Sequence, residues 1–201
     1  MATDSIDSTI IFPTDNSSIN SVGGSIKLTE GNDFILNTGA KVTINADAGA
    51  DTIFNGNYYV DYEDGRKIKY SVVSANAGQQ TSIWAGAGND LVFNTGSNTT
   101  INARADNDTV INSGAYVLID GEAGNDSISN NATANVTINT SSGNDTIKLG
   151  SSVKSFKAEG FSAGDVIELA AAASKLETIS GGIKAGNVSI SGITAISTVN
   201  N

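Results

Sequence analysis

The sequence lacks several residue types on which much protein chemistry depends. Its 201 residues include no cysteine and no histidine, and only one proline, one methionine and one tryptophan. Without cysteine there can be no disulfide bond and no thiolate chemistry, and without histidine the commonest general base and zinc ligand is missing. We therefore expect neither a zinc site nor enzymatic activity.

Positive charge is also scarce. The chain carries 21 acidic and 11 basic residues, a formal net charge of −10, and its pI is about 4.2. Nucleic acid is not an expected partner, because phosphate contacts need clustered Lys and Arg. A hard, oxygen-ligated divalent cation such as calcium is an expected one.

Long apolar runs are absent as well, so we expect no membrane insertion. The first 18 residues lack the basic region and continuous apolar core of a Sec signal peptide. An acidic, cysteine-free composition rich in Asn, Thr, Ser and Gly is typical of extracellular bacterial proteins. We therefore expect a secreted or cell-surface protein with an export signal other than an N-terminal one.

What the chain does contain is a repeat. Acidic residues recur at separations of 18, 39, 18, 18 and 19 residues, and the longest interval equals one 18-residue period plus a 21-residue insertion. These residues are Asp33, Asp51, Asp90, Asp108, Asp126 and Asp145. The second residue after each is apolar, and the fourth after each of the first five is Asn: Asn37, Asn55, Asn94, Asn112 and Asn130. A further apolar column holds Ile44, Ile101, Ile119 and, after a one-residue slip, Ile138.

Two short apolar segments per 18-residue unit, bounded by Gly and Asn turns, predict an all-β parallel β-solenoid (β-roll). Successive coils stack at roughly 4.8 Å, so each sequence column becomes a row along the axis. A single coil cannot bury its inner face, and stability therefore comes from stacking. We expect the Asn column to form a structural ladder of side-chain amides.

The turns before the acidic residues read TEGND, DAGAD, GAGND, RADND, EAGND and SSGND. With an apolar residue two places after the Asp, they resemble the nonapeptide GGxGxDxUx of the RTX (repeat-in-toxin, haemolysin-type) family over residues 28–150. The resemblance implies a parallel β-roll with calcium between successive turns. It assigns as calcium ligands the six repeated Asp residues, together with the turn glycines Gly31, Gly49, Gly88, Gly124 and Gly143.

Two departures from the family pattern affect this expectation. The second half of each coil should carry another Asp nine residues on, but those positions hold Val42, Thr99, Val117 and Asn135. We therefore expect one row of calcium sites along one edge only. In RADND, Asp106 replaces the glycine, and because Asp tolerates left-handed backbone we expect this turn to be kept.

An alternative is that these Asp residues only form turns, which Asp and Asn favour by bonding their own backbone. Stacked carboxylates about 4.8 Å apart would, however, repel one another by on the order of 3 kcal/mol per pair at an effective dielectric of 20. A cation between turns removes that repulsion, so we favour calcium. Asp33 and Asp145 are expected to end the row, each with a neighbour on one side only.

The 21-residue insertion, residues 58–78, alternates around Glu63-Asp64-Gly65-Arg66 and predicts a β-hairpin that leaves the solenoid at the Asn-turn edge. It concentrates aromatic and basic residues typical of interfaces, namely Tyr58, Tyr59, Tyr62, Arg66 and Tyr70. The alternative, that the hairpin folds back and covers the flank of the solenoid, stays open.

These patterns divide the chain into three parts. Residues 1–27 are expected to form an N-terminal cap or an assembly strand, residues 28–150 the solenoid, and residues 151–201 a β-rich C-terminal cap. By resemblance to the RTX family, the last part also carries a type I secretion signal.

The expected function is that of a secreted, calcium-dependent structural protein, which folds outside the cell and assembles with itself into a surface layer, fibre or extracellular matrix. The alternative is a calcium-dependent carbohydrate-binding or adhesion module that contacts a polysaccharide or a cell surface. Self-assembly at saturating calcium distinguishes the two.

Overall fold

The computed structural model describes residues 9–11, 24–28, 30–37, 39–56, 59–63, 67–71, 79–133, 135–169, 176–179, 182–185 and 188–191. Within these residues the fold is all-β, with no helix. This part of the chain accordingly contains no helix with the length and apolar character needed to cross a bilayer.

Twenty strands make up the described fold. They are β1 (Thr9–Ile11), β2 (Gly24–Lys27), β3 (Phe34–Asn37), β4 (Val42–Asn45), β5 (Thr52–Asn55), β6 (Tyr59–Glu63), β7 (Lys67–Ser71), β8 (Ser82–Ala87), β9 (Leu91–Asn94), β10 (Thr100–Ala105), β11 (Thr109–Asn112), β12 (Val117–Asp120), β13 (Ser127–Asn130), β14 (Val136–Asn139), β15 (Thr146–Leu149), β16 (Ser155–Glu159), β17 (Val166–Leu169), β18 (Leu176–Ile179), β19 (Gly182–Ala185) and β20 (Val188–Ser191).

The chain alternates between two sheets and so forms a β-solenoid. Sheet A has eleven strands in the order β1-β2-β4-β8-β10-β12-β14-β16-β20-β19-β18, and sheet B has seven in the order β17-β15-β13-β11-β9-β5-β3. All solenoid neighbours are parallel and in register, and each strand pairs with the equivalent strand one coil away. The predicted parallel β-solenoid is confirmed.

The predicted apolar columns form the core between the two sheets. Ile35, Ile53, Val92, Val110, Ile128 and Ile147 line the inner face of sheet B, all fully buried. Ile44, Ile83, Ile101, Ile119 and Ile138 face them from sheet A. Because identical positions stack, β-branched side chains pack in continuous rows.

The inserted hairpin is also confirmed. Strands β6 and β7 pair antiparallel, from Tyr59↔Ser71 to Glu63↔Lys67. The chain leaves the solenoid after Asn55, at the Asn-turn edge, and β5 pairs directly with β9 across the insertion. Among the predicted interface residues, Tyr58 and Arg66 lie outside the described residues. For Tyr59, Tyr62 and Tyr70 the description covers the backbone alone.

Both ends of sheet A extend beyond the repeat. At the N-terminal end β1 pairs in parallel with β2 of its own chain. At the other end β16 and β17 continue the two parallel sheets past residue 150. Strand β20 then joins β16, and β19 and β18 follow antiparallel, which gives the predicted β-rich cap. The Ala-rich residues 170–175 lie outside the described residues.

One position of the repeat was assigned wrongly. The residue that stacks on Val117 in sheet A is Val136, not Asn135. The turn before it has five residues, 131–135, whereas the equivalent turn of the preceding coil has four, 113–116. The extra residue is absorbed before the strand begins, and Asn135 adopts a left-handed φ of 60° in the turn.

Candidate functional site

The turns that enter sheet B share a backbone conformation that places their Asp residues at one edge of the solenoid. The residue two positions before each Asp has a positive φ, at 134° for Gly31, 141° for Gly49, 118° for Gly88, 140° for Gly124 and 139° for Gly143. A Cβ atom at Gly49 would lie 2.0 Å from the carbonyl oxygen of Gly31 in the preceding coil. Coils can therefore stack closely here because this residue has no side chain. Asp106 keeps the turn, as expected, with a φ of 78°.

The structure brings the predicted Asp residues into one buried row. We call Asp33, Asp51, Asp90, Asp108, Asp126, Asp145 and Asp165 the Asp row, and each member with its preceding turn a rung. In every step the Oδ1 atom of one Asp accepts a hydrogen bond from the backbone N–H of the Asp one coil earlier, at 2.7–2.9 Å. The pattern crosses the insertion, since the N–H of Asp51 donates to Asp90.

The other carboxylate oxygen has no such bond in five rungs. The Oδ2 atoms of these rungs are buried and have no hydrogen-bond partner among the described residues; they belong to Asp51, Asp90, Asp108, Asp126 and Asp145. These side chains are only 1–2% exposed. A buried, ionised oxygen without a donor is costly, so each needs a proton or a positive charge.

Burial raises the pKa of these carboxyl groups well above the ordinary value of 3.8. The pKa rises to about 7 for Asp51, about 6 for Asp90, about 8 for Asp108 and about 6 for Asp126. Burial likewise raises the pKa of Asp145. The backbone N–H received at Oδ1 lowers each pKa, and neighbouring carboxylates raise it further, as Asp90 and Asp126 do for Asp108. A fully charged row is therefore unfavourable unless its charge is offset.

The final member of the row differs from the others. Asp165 lies beyond Asp145 and accepts its backbone N–H, so Asp145 is not the end of the row. The Oδ2 atom of Asp165 accepts hydrogen bonds from the Thr140 hydroxyl at 3.2 Å and from the Ser162 N–H at 2.6 Å. This last rung is thus completed by donors of the protein itself. The sequence feature that identifies Asp165 as a member of the row is the apolar residue two positions after it, Ile167, which has a counterpart in every other rung.

Small residues lie beside the Asp row at the ends of the sheet A strands. A Cβ atom added at Gly121 would come within 2.4 Å of Oδ2 of Asp126. The equivalent positions of other coils, also buried, are Ala46, Ala85, Ala103 and Thr140. Among these described residues Thr140 alone has a side-chain hydrogen-bond donor, and that donor reaches the Asp of the next coil.

The opposite edge of the coils carries the predicted amide ladder. We call Asn37, Asn55, Asn94, Asn112 and Asn130 the Asn row. The Nδ2 of each of the first four donates to Oδ1 of the next Asn at 2.7–3.1 Å, and all five side chains are fully buried. Asn94 also bonds both backbone groups of Gly96 in its own turn. The structural role predicted for this column is confirmed.

The donor set of the Asp row is suited to calcium. Calcium is bound in proteins by about six to eight oxygen atoms, including carboxylate and backbone carbonyl oxygens. Five rungs each present one carboxylate oxygen without a hydrogen-bond partner among the described residues, next to turns that contain the predicted glycines. Among the described residues no three acidic side chains converge on one point. A bound cation would therefore rely on backbone carbonyls in addition to one or two Asp side chains.

The sequence matches no model of a known protein family and none of the curated proteins with which it was compared. The parallel solenoid and its buried row of stacked carboxylates are nevertheless consistent with an RTX-like β-roll. The coarse resemblance therefore rests on the fold and the Asp row.

Proposed function

We propose that this protein is a secreted structural protein whose solenoid is completed by calcium along the Asp row. The observation that carries the proposal is the set of five buried Oδ2 atoms without a hydrogen-bond partner among the described residues. An apolar residue would be a more stable choice at each position, since burying an uncompensated carboxylate costs several kcal/mol. Repetition of this feature in consecutive coils points to a ligand that offsets the charge.

The residues assigned to calcium are the inner rungs, Asp51, Asp90, Asp108 and Asp126, with Asp33 and Asp145 flanking them. Carbonyl oxygens of the turns that contain Gly31, Gly49, Gly88, Gly124 and Gly143 complete the ligand set. When bound, calcium supplies positive charge that removes the repulsion between successive carboxylates. The row then stabilises the stacking of coils.

Folding after export follows from the strength of such sites. Calcium sites of extracellular modules bind at ~10⁻⁴–10⁻³ M, far above cytosolic calcium. Ligand binding to the folded state adds a stability of RT ln(1 + [ligand]/Kd) per site. The chain would stay loosely folded inside a bacterial cell and fold outside it. Residues 151–201 are assigned the C-terminal, type I export signal by resemblance alone.

Self-association is supported by the ends of sheet B. Within the described part of the chain, β3 pairs only with β5, and β17 pairs only with β15. A strand edge with unpaired backbone groups is a template for another strand. Copies that pair end to end would build a fibre, a surface layer or an extracellular matrix.

Thermal unfolding of the purified protein with calcium or with a chelator tests the proposal. A site at tenfold its Kd contributes about 1.4 kcal/mol, and four or five such sites would raise the unfolding midpoint by roughly 10–20 °C. Identical melting curves in the two conditions would refute the calcium assignment. Light scattering and electron microscopy of the same samples report whether particles grow only when calcium is present.

A carbohydrate-binding module is the second candidate, favoured by the single tryptophan. Trp84 projects from the outer face of sheet A, half-buried, and its register neighbours are Asn45 and Asn102. An indole face can stack on a sugar ring while flanking amides bond its hydroxyl groups. A calcium-loaded monomer that binds a glycan, and loses that binding in Trp84→Ala, would favour this function over assembly.

A further inference from the structure

Asp106 stands at a turn position that glycine occupies in the other turns assigned to the metal row. In three of those turns the glycine N–H donates to a backbone carbonyl of the next coil, at 2.7–3.1 Å. These bonds run from Gly31 to Ala48, from Gly49 to Ala87 and from Gly124 to Ser142. They hold successive turns together.

The turn that precedes Asp106 by one coil makes a different bond. The N–H of Gly88 donates to the side-chain Oδ2 of Asp106 at 3.1 Å. The turn of Asp90 is therefore held to the turn of Asp108 by a side-chain carboxylate as well as by the strands. Carboxylate oxygens are among the ligands that calcium binds.

This arrangement requires a strained backbone. Asp106 has a φ of 78° and Arg104 a φ of 83°, whereas the equivalent residues one coil earlier are Gly88 and Gly86. Left-handed backbone is unfavourable for residues that carry a Cβ atom. Asp tolerates this backbone better than most residues, and its side chain adds the bond to Gly88 that a glycine could not make.

The charge of Asp106 is not neutralised by an ion pair among the described residues, and Arg104 in the same turn makes none either. The carboxylate of Asp106 lies beside the turn of Asp90, because it accepts the N–H of Gly88 two residues before Asp90.

We propose that the site between Asp90 and Asp108, which lies beside the charge of Asp106, has the highest cation affinity in the row, and that it fills first. Asp90 and Asp108 are at least 98% buried, and each has an Oδ2 atom without a partner among the described residues. The inference rests on the proposed function and adds an order of binding to it. Folding of the solenoid would then begin at its centre as calcium rises.

Terbium binding to the full-length, chelator-treated protein tests this order. The strand that carries Trp84, β8, runs directly into the turn of Asp90, so indole-sensitised terbium emission reports on the central rungs. Excitation at the red edge of indole absorption avoids tyrosine. In Asp106→Asn, which keeps a side-chain acceptor for Gly88 but removes the charge, we expect the first binding phase to weaken about tenfold. Calorimetry with calcium should show the same shift.

Two further variants separate this role from general charge and from folding. Glu168→Gln removes the same charge from the outer face of sheet B, 50% exposed, and should leave the first phase unchanged. Asp106→Gly relieves the strained backbone, so the metal-free variant should melt no lower than the wild type while its first phase weakens as in Asp106→Asn.

Three outcomes have distinct meanings. A wild-type protein that binds terbium and calcium, with Asp106→Asn indistinguishable from it, overturns the inference but leaves the proposed function standing. An equal shift of all binding phases in Asp106→Asn also overturns it. A wild-type protein that binds neither cation refutes the proposed function, and the inference with it.

Discussion

Both edges of the solenoid bury a stacked row of polar side chains, but the two rows differ in their hydrogen bonding. Each coil places one polar side chain inward at each edge, in the Asn row or in the Asp row. An amide has both a donor and an acceptor, so Asn55 can accept from Asn37 and donate to Asn94. A carboxylate has only acceptors, so Asp90 takes one N–H at Oδ1 and leaves Oδ2 without a partner among the described residues.

The difference shows which edge is self-sufficient. Stacked amides satisfy one another and need nothing from the solvent. Stacked carboxylates depend on what the solvent supplies, which is either protons or cations. The Asn row should therefore keep the coils together with or without protons and cations from the solvent. At the Asp row, by contrast, the stacking of coils should depend on bound protons or cations.

The largest expected effect of this asymmetry is on the pH dependence of the metal-free protein. The folded-state pKa values of about 6–8 for Asp51, Asp90, Asp108 and Asp126 lie above the ordinary value of 3.8. At pH values between the unfolded and the folded pKa, the folded state binds more protons than the unfolded state does. The free energy of unfolding therefore falls as pH rises from about 4 to 8. Each proton that the folded state binds in excess of the unfolded state lowers the free energy of unfolding by about 1.4 kcal/mol per unit rise in pH.

Urea denaturation from pH 5 to 9 in the presence of a chelator measures this slope. We expect the loss of stability to level off above the highest pKa, and saturating calcium to restore most of it at pH 8. Stability that is constant from pH 5 to 8 without calcium would contradict the dependence of the Asp row on protons.

The next largest effect should come from placing a carboxylate in the Asn row. Asn94→Asp removes the donors to Asn112 and Gly96 and buries a charge that is 0% exposed. We expect a loss of about 3–5 kcal/mol, unchanged by calcium. Asn130→Asp is the matched control, because Nδ2 of Asn130 has no hydrogen-bond partner among the described residues. Equal losses in the two variants would show that donation along the row contributes little.

The sequence predicted the two rows but not their different hydrogen bonding. Period and side-chain class are visible in sequence, because stacked positions demand the same kind of residue in every coil. Which oxygen of Asp126 accepts an N–H depends on turn geometry, and turn geometry cannot be read from the residue type at one position of the repeat. The position of Val136 was missed for a related reason, since a turn can absorb one extra residue without any change in the strands. Asp165 was not assigned to the row because it follows Asp145 by 20 residues rather than 18 or 19.

A rung of the Asp row can be converted to the chemistry of the Asn row. In Asp108→Asn the Oδ1 atom can still accept the N–H of Asp90, while an uncharged amide replaces the bare oxygen. We expect the metal-free protein to gain about 1–3 kcal/mol at pH 8, and the stabilisation by calcium to decrease. Asp120→Asn, on the outer face of sheet A, removes the same charge and should do neither. A destabilised metal-free Asp108→Asn would show that the carboxylate itself holds the coils together.

The smallest predicted effect uses the rung that already needs no cation. The Thr140 hydroxyl donates to Oδ2 of Asp165 one coil later, and Ala103 is in the position that should reach Asp126 in the same way. Ala103→Thr adds a donor where Ala103→Val adds the same volume without one. In urea denaturation of the metal-free protein we expect the Thr variant to exceed the Val variant by about 1 kcal/mol, and calcium to reduce that difference. If the two variants unfold alike with and without calcium, then Oδ2 of Asp126 does not need a donor, and the contrast between the two edges loses its physical basis.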